Sequence, residues 1–478
     1  ARVAELGVDP VPALVADPET VHKSTSLMDL DVAKMLADAH KQAEEARALA
    51  KEKLAAMCKQ VGMDPDELMK KQAATLPRFS AAQRLERLQA ALTLAPGSRE
   101  LLMKKTGSAD LKELEGKLRL AEEAFRKAYG MGAHVMLTGA LPAERQAGLA
   151  TLKEQVLQRL KRGESLARMD LAGVNLSGAD LKGVDFTGTY LEFADFSGAD
   201  LSGAKLTGAV AVRANFSGAK LAKTDFSSAN VGKSSFVGAV GAGADFGDAV
   251  LSEASFENSA FPGAKFTGGL IMKADFTGAD LGGAEFTKPL FMDCRLDGAR
   301  LNGATIRRTT VLGGSAVGLD LSGAKGETLL FANVDLDRLR AAGAEIAKLR
   351  LVGNETRARG ADFSGAKLPG SNLRGIDLTD GNFERAVLDG SDLSEAKLKQ
   401  ARFRGASAVR AHFMQTDLEA ANLSNCNLKE AMLNKARLVR ANLGDSNCFG
   451  AEFLGVVVGE TRFHGANLKR TKLKDWHP

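Results

Sequence analysis

Apolar residues in the last two thirds of this chain recur at every fifth position. The unit reads Ala199-Asp200-Leu201-Ser202-Gly203, then Ala204-Lys205-Leu206-Thr207-Gly208. It returns as Ala214-Asn215-Phe216-Ser217-Gly218, Ala274-Asp275-Phe276-Thr277-Gly278, Ala361-Asp362-Phe363-Ser364-Gly365 and Ala421-Asn422-Leu423-Ser424-Asn425. This period fits neither the helical repeat nor the alternation of a flat strand. Each unit carries one large apolar residue at its centre and a small one, usually Ala, two positions earlier. Side chains two apart on extended chain share a face, so both turn inward and the others face out. One unit cannot bury that face alone, whereas stacked units can.

The aromatic residues set the number of units per coil. Phe196, Phe216, Phe236, Phe256 and Phe276 recur four units apart. Phe186, Phe226, Phe246, Phe266 and Phe286 form a second set, offset by two units, with Leu206 in its one gap. Between them lie Leu181, Leu201 and Leu221 on one side, and Leu171, Leu191, Val231, Leu251 and Ile271 on the other. A four-sided coil of about 20 residues explains this, with Phe on two opposite walls. Phe363, Phe383 and Phe403 continue the core ladder downstream. Central positions run from Leu166 to Leu351, and from Phe363 to Leu473 in a register displaced by two residues. About 38 units precede the shift and about 23 follow it, giving about 15 coils and a rod about 70 Å long.

These units resemble the pentapeptide-repeat family, whose pattern is A(D/N)LXX, over roughly two thirds of the chain. The resemblance implies a right-handed quadrilateral β-helix; the sequence supports the four sides, and the handedness comes from the family. The expected fold is mainly β, with an α-helical domain at the N-terminus.

Residues 1–162 lack the period and read as helices, expected to cap the open end of the solenoid. Asp31–Lys59 is charged and Ala-rich and reads as a solvated helix. Asp64-Pro65-Asp66-Glu67 is a helix start, and Ser80-Ala81-Ala82-Gln83 a capping box. Ser108 opens a run that Gly130 closes, and Pro142–Arg162 forms one amphipathic helix stopped by Gly163. The expected organisation is then residues 163–351 as the first solenoid block, 352–362 as a register break or loop, and 363–478 as the second block with a C-terminal cap. The break follows an irregular stretch, residues 305–360, with Ala316 and Gly326 at central positions. Arg307, Arg308, Arg357 and Arg359 cluster there and are the candidate partner contacts. Trp476, the only Trp, is a further candidate, as a lid on the last coil or in a homodimer contact through the C-terminal end.

Composition narrows the function classes. Lys and Arg number 64 against 59 Asp and Glu, a formal charge of +5. By block the balance is about +2, −1 and +4 along residues 1–160, 161–350 and 351–478. The basic residues of the last block fall on several walls, and the Phe residues sit at inward positions. Both features argue against nucleic acid as a partner. The four cysteines show no metal-ligand spacing; Cys294, Cys426 and Cys448 fall at inward positions, as small hydrophobes. The six His assemble no base–nucleophile–orienter set. The Asp and Asn before each central residue form rows that suit turns better than catalysis. No catalytic, cofactor or metal site is expected. Nothing resembles a signal peptide or membrane span, and cytoplasmic residence, or release by a signal-independent route, is the expectation. The chain begins at Ala1, which reads as a piece of a longer protein.

These features point to a non-enzymatic scaffold that binds other proteins. The family resemblance offers two classes. Large bacterial members join a rod to other domains and are similar to accessory, adaptor or cargo-loading components of type VI secretion, whose partners are spike or effector proteins. Others mimic DNA and bind topoisomerase (gyrase), and are strongly acidic, which this chain is not. A third reading makes the chain the non-catalytic part of an effector or enzyme whose active domain lies upstream.

Overall fold

The computed structural model describes residues 78, 80–94, 111–137 and 139–471. The expectations for Asp31–Lys59, Asp64-Pro65-Asp66-Glu67, Ser108 and Trp476 lie outside these residues.

The repeat winds into one parallel solenoid. Asp170 pairs with Tyr190, Asn175 with Asp195, Asp180 with Asp200 and Asp185 with Lys205, and each column continues to the coil of Asn447 and Asn467 in steps of 20 residues, with one step of 22. Four pairings per coil give four walls, and the span contains about 15 coils. The residue after the polar bridge position points into the bore, and a two-residue turn makes each corner. The second turn residue has positive φ, which suits Gly203 (φ 69°) without steric cost. The Asp or Asn before each centre serves its own turn: Asp195 and Asn215 accept the backbone N–H of Ser197 and Ser217 at 3.0 and 3.1 Å. These rows are turn-formers with occupied acceptors.

The bore is filled by rings. Phe196, Phe216, Phe236, Phe256 and Phe276 stack on one wall with centroids 4.6–5.1 Å apart. Phe226, Phe246, Phe266 and Phe286 stack on the opposite wall at 5.0–5.2 Å, and the two ladders meet edge to face across the axis, as in the Phe226–Phe236 pair. Phe186 meets Phe196 edge to face, and Phe363, Phe383 and Phe403 stack at 5.1 and 4.6 Å. Phe261 intrudes from an aliphatic wall, and one coil earlier that wall has Gly241 at its centre. A Cβ there would lie 2.2 Å from the Phe261 ring, so the glycine supplies the volume that the extra ring takes. At several coils where Thr or Ser replaces the inward Ala, its hydroxyl donates to a carbonyl of the preceding coil, as Thr189 does to Leu166 and Thr416 to Leu393; Ser259 and Ser446 donate within their own coil, to Phe256 and Leu443.

Among the described residues, continuous strand pairing develops at one corner. β1 (Lys265–Thr267), β2 (Leu270–Met272), β3 (Glu285–Thr287) and β4 (Leu290–Met292) give way to the longer β5 (Thr305–Leu312), β6 (Lys325–Ala332) and β7 (Glu345–Val352). The long strands round the corner through Arg308, Thr328 and Lys348, each left-handed. Gly326 lies in β6, and a Cβ on it would sit 1.7 Å from the Ile306 carbonyl oxygen. Its place at a centre therefore reflects a close backbone approach. After β7 the pairing step becomes 22 residues, Asp335 to Arg357 and Arg340 to Asp362, then returns to 20. The two extra residues are taken up at a single corner. Gly353 is left-handed there (φ 96°), and Thr356 bonds Val352 and Val334. Regular pairing resumes at Arg357.

The helices differ from expectation at their ends. α1 (Ala81–Leu94) starts as read, with Ser80 Oγ accepting the Gln83 N–H at 3.3 Å. α2 (Leu111–Met136) runs through Gly130, because Phe125, Tyr129, Ala133 and Leu137 form one buried apolar stripe on both sides of it, and packing outweighs the weak helix preference of glycine. The run 142–162 divides into α3 (Ala143–Gln146) and α4 (Leu149–Lys161). α4 buries Val156 in the solenoid core, and Leu152, Leu157 and Leu160 pack against that core.

Candidate interaction wall

Outward positions decide what the rod can bind, and three walls carry laddered charge. Arg295 meets Asp275 at 3.2 Å, Arg340 meets Asp320 at 3.5 Å, and Arg300 pairs with Asp280. Lys367 meets Glu345 at 2.9 Å. Glu419 gathers Lys399 and Arg437, both at 3.3 Å, and Arg440. These exposed pairs add little stability, but they intersperse both signs along each wall.

Two of the candidate arginines belong to such a ladder. Arg357 reaches Asp335 and Asp337, and Arg359 reaches Asp337 at 2.6 Å. Burial pushes the Asp337 carboxyl up, but hydrogen bonds from the Arg359 side chain and backbone and from Arg357 hold it below its ordinary value. Arg308 turns the β5 corner, and Arg307 precedes it in register with Glu327. The structure therefore does not gather the four arginines into one pocket; it spreads them over separate corners and rungs.

The fourth wall is different. Its bridge column reads Asp170, Tyr190, Val210, Asn230 and Val250, then Leu270, Leu290, Thr310, Leu330 and Arg350. The column two residues on includes Val212, Met272, Met292, Leu312, Ala332 and Val352. Apolar side chains thus face outward on the coils of Tyr190 and Val210 and, after an interruption at Asn230 and Gly232, on each coil from Val250 to Val352. Two aromatics stand outward here, Tyr190 and Phe193, and Phe449 lies under Arg470 on another face. This corrects the expectation that every Phe faces the bore.

Helix α2 occupies the first coils of this wall. Phe125 and Tyr129 pack on Tyr190, Val210 and Val212, with Tyr129 edge-on to Tyr190 at 5.7 Å. The Asn230 amide donates to the Gly130 carbonyl at 2.6 Å. Arg126 donates to the Gly188 carbonyl at 2.8 Å and lies over the Tyr190 ring.

Beneath the helix sits a buried polar lock. Glu192, 0% exposed, accepts two hydrogen bonds from Arg78, both 3.0 Å, and one from the Tyr129 hydroxyl at 2.7 Å. Arg78 also holds Asp170 at 2.9 and 3.1 Å and covers the Tyr190 ring at 4.0 Å. Arg145 donates to Asp170 at 3.0 Å. Burial pushes the Glu192 carboxyl up, opposed by Arg78 and Tyr129. Burial likewise raises the Tyr190 hydroxyl to about 12. Asp170 is also pushed up by burial, yet the Arg78 hydrogen bond and the charges of Arg78 and Arg145 hold it below its ordinary value. No local signal marks this lock in the sequence, since its partners lie up to 114 residues apart.

Cys294, Cys426 and Cys448 are buried, and burial raises their thiols to about 12, 12 and 11, which leaves them poor nucleophiles. Among the described residues no group of three or more His, Cys, Asp or Glu side chains is placed to hold a metal ion. No described helix is long and apolar enough to cross a membrane.

Comparison with known proteins adds family membership. The family described as pentapeptide repeats matches in eight copies, over residues 170–208, 199–238, 235–268 and 272–310, and a pentapeptide repeat region matches residues 356–433. No curated protein matches the sequence. Among solved structures, a pentapeptide repeat protein from the Arabidopsis thaliana thylakoid lumen is 32% identical, over 22% of this chain and 70% of that one, with a TM-score of 0.18. QnrB1, a plasmid-mediated fluoroquinolone resistance protein, is 22% identical, over 41% and 93%, with a TM-score of 0.21. HetL of Nostoc sp. strain PCC 7120, involved in regulating heterocyst differentiation, is 21% identical, over 66% and 96%, with a TM-score of 0.14. With its five-residue units, four-walled coils and matching repeat copies, the chain belongs to the pentapeptide-repeat family.

Proposed function

We propose that this chain is a non-enzymatic scaffold whose apolar wall holds helical protein segments along the rod. The observation that carries the reading is the seat of α2: an amphipathic helix lies lengthwise on outward Tyr190, Val210 and Val212 and is pinned at Asn230 and Glu192. The same wall continues apolar beyond it, through half-buried Val250 and Leu270 to buried Leu290 and Leu330, and an apolar strip of this kind suits the apolar face of a helix. The non-enzymatic reading is supported by the use of the Asp and Asn rows in turns and by the burial of the thiols. The mixed charge of the other walls favours proteins over nucleic acid as partners. The finer reading, an adaptor or cargo-loading role in type VI secretion, draws only on a helical leader joined to a long rod. The DNA-mimic reading is opposed by the net charge of +5.

The test is affinity capture with the intact chain, with Leu290→Asp/Leu330→Asp on the apolar wall, and with Arg300→Ala/Arg340→Ala on a charged wall. A captured partner is expected to be lost with the first pair and kept with the second. Capture that survives the first pair refutes the reading. A DNA supercoiling assay with purified protein separates the alternative, since inhibition would favour the DNA mimic.

A further inference from the structure

The seat of α2 is a small core of its own. Phe125, Tyr129, Ala133 and Leu137 are buried with Tyr190, Val210 and Val212 in a cluster separate from the one that fills the bore. The helix can therefore leave the wall without opening a coil, because each coil is held by its neighbours in the stack. α1 touches one flank of α2, where the Ala81 N–H donates to Glu122 at 3.1 Å. The face away from the wall is open: Leu120, Met131 and Val135 are 60, 39 and 41% exposed and lie within about 60° of one another around the helix axis.

What holds α2 down is suited to release. Glu192 is fully buried and relies on Arg78 and the Tyr129 hydroxyl, and a buried ion network is a weak source of stability. Tyr190 Oη is buried beside it with no hydrogen-bond partner among the described residues, a need that water meets once the helix lifts. α2 is also a poor helix by itself. Gly116, Gly130 and Gly132 each disfavour the helical state, so its order comes from the surface it packs on.

We propose that α2 is a displaceable strap: it holds the wall at Tyr190, Val210 and Val212 in place of a partner helix, which binds there only when α2 lifts. The inference rests on the reading of the wall as a docking face. The seat defines the face the partner must present. It takes an aromatic pair four residues apart, as Phe125 and Tyr129, and a small residue four further on, as Ala133. It offers two acceptors, the Glu192 carboxylate and the Gly188 carbonyl. The Tyr190 ring lies under two guanidinium groups, Arg78 at 4.0 Å and, from α2, Arg126 at 4.6 Å, so a cation beside the aromatic pair is favoured. The partner is thus an amphipathic helix of another protein with an aromatic face and a basic flank.

A fluorescent peptide of residues 111–137, the chain's own α2, serves as the probe, and its binding to the full chain is measured by anisotropy. Phe125→Asp/Tyr129→Asp empties the seat and leaves the wall unaltered. Gly130→Cys/Val210→Cys clamps it, because a Cβ on Gly130 would lie 3.8 Å from Val210 Cγ2, within disulfide reach; this variant is compared oxidised and reduced in a Cys58→Ser background. With α2 docked about 97% of the time, the unaltered chain is expected to bind the peptide about 30-fold more weakly than the emptied one. Oxidising the clamp should remove binding, and reducing it should restore the level of the unaltered chain. Equal affinity of the unaltered and emptied chains, or of the oxidised and reduced clamp, overturns the strap and leaves the wall a docking face. No binding by the emptied chain, with circular dichroism from the rod unchanged, overturns the docking face too. If that signal is lost, the two states of the clamp decide alone.

Discussion

Replacing Glu192 by Ala should free α2 from the rod without unwinding the rod itself. The carboxylate is fully buried and takes two hydrogen bonds from Arg78 and one from Tyr129. Removing one partner of a buried pair costs about 3–5 kcal/mol when the other charge is stranded. Arg78 keeps Asp170 at 2.9 Å, so the stranding is incomplete and about 2–4 kcal/mol is the reasonable loss. If the docking of α2 opens independently of the coils, the loss appears there first. At 1.4 kcal/mol per tenfold, amides of residues 111–136 should exchange about 30- to 700-fold faster. Those of residues 363–453 should be unchanged, because the loss stays local in a stack that couples nearest neighbours. Hydrogen exchange with mass spectrometry reads both. The reasoning fails if α2 keeps its protection in Glu192→Ala, or if the distant coils lose theirs equally.

Three further outcomes follow from the same geometry. Phe236→Ala removes a ring stacked on Phe216 and Phe256 at 4.9 and 4.6 Å, and should cost about 3–5 kcal/mol; Phe236→Leu should cost less, as Leu206 already fills a ladder position, and denaturant midpoints compare them. Gly241→Ala should destabilise by overpacking against Phe261, and Phe261→Leu in the same chain should recover much of the loss, a coupling of about 1 kcal/mol or more in a double-mutant cycle. Acid should weaken the fold: Asp170 and Asp337 have depressed values, so their contribution is present above the ordinary carboxylate value and is lost as pH falls through the depressed ones, below about pH 4. Glu192, with a raised value, contributes in the opposite sense. Its share is full below the ordinary value and is lost as pH rises through the raised one, so Glu192→Gln should deepen the acid loss measured by thermal unfolding.

The fold was legible because the repeat writes it many times over. Each Phe at a twenty-residue interval restates the coil, and the two-residue displacement after Leu351 appears in the structure as the step from Asp335 to Arg357. The wall that matters for binding was harder to see. Val210, Leu270, Leu290 and Leu330 stand where the unit expects Asp or Asn, and one by one they look like drift from the pattern. Only when every fourth unit is aligned do they form a column. The lock at Glu192 was not legible at all, since a turn residue in one coil, Arg78 and Tyr129 meet solely through the docking of the helices. Gly130 misled for a related reason. A glycine after a helical run is a stop signal locally, and the buried stripe that carries α2 past it is set by the rod.

A cysteine-accessibility scan tests the four-walled account most directly. In a Cys58→Ser background, single cysteines are placed at residues 250, 270, 290 and 330 on the apolar wall and at 240, 260, 280 and 300 on a charged one, and maleimide labelling rates are measured on the folded protein. The account predicts slow labelling at the buried positions 290 and 330, fast labelling at the exposed positions 240 and 300, and intermediate rates at the half-buried 250, 260, 270 and 280. Rates at 290 and 330 equal to those at 240 and 300 would contradict it.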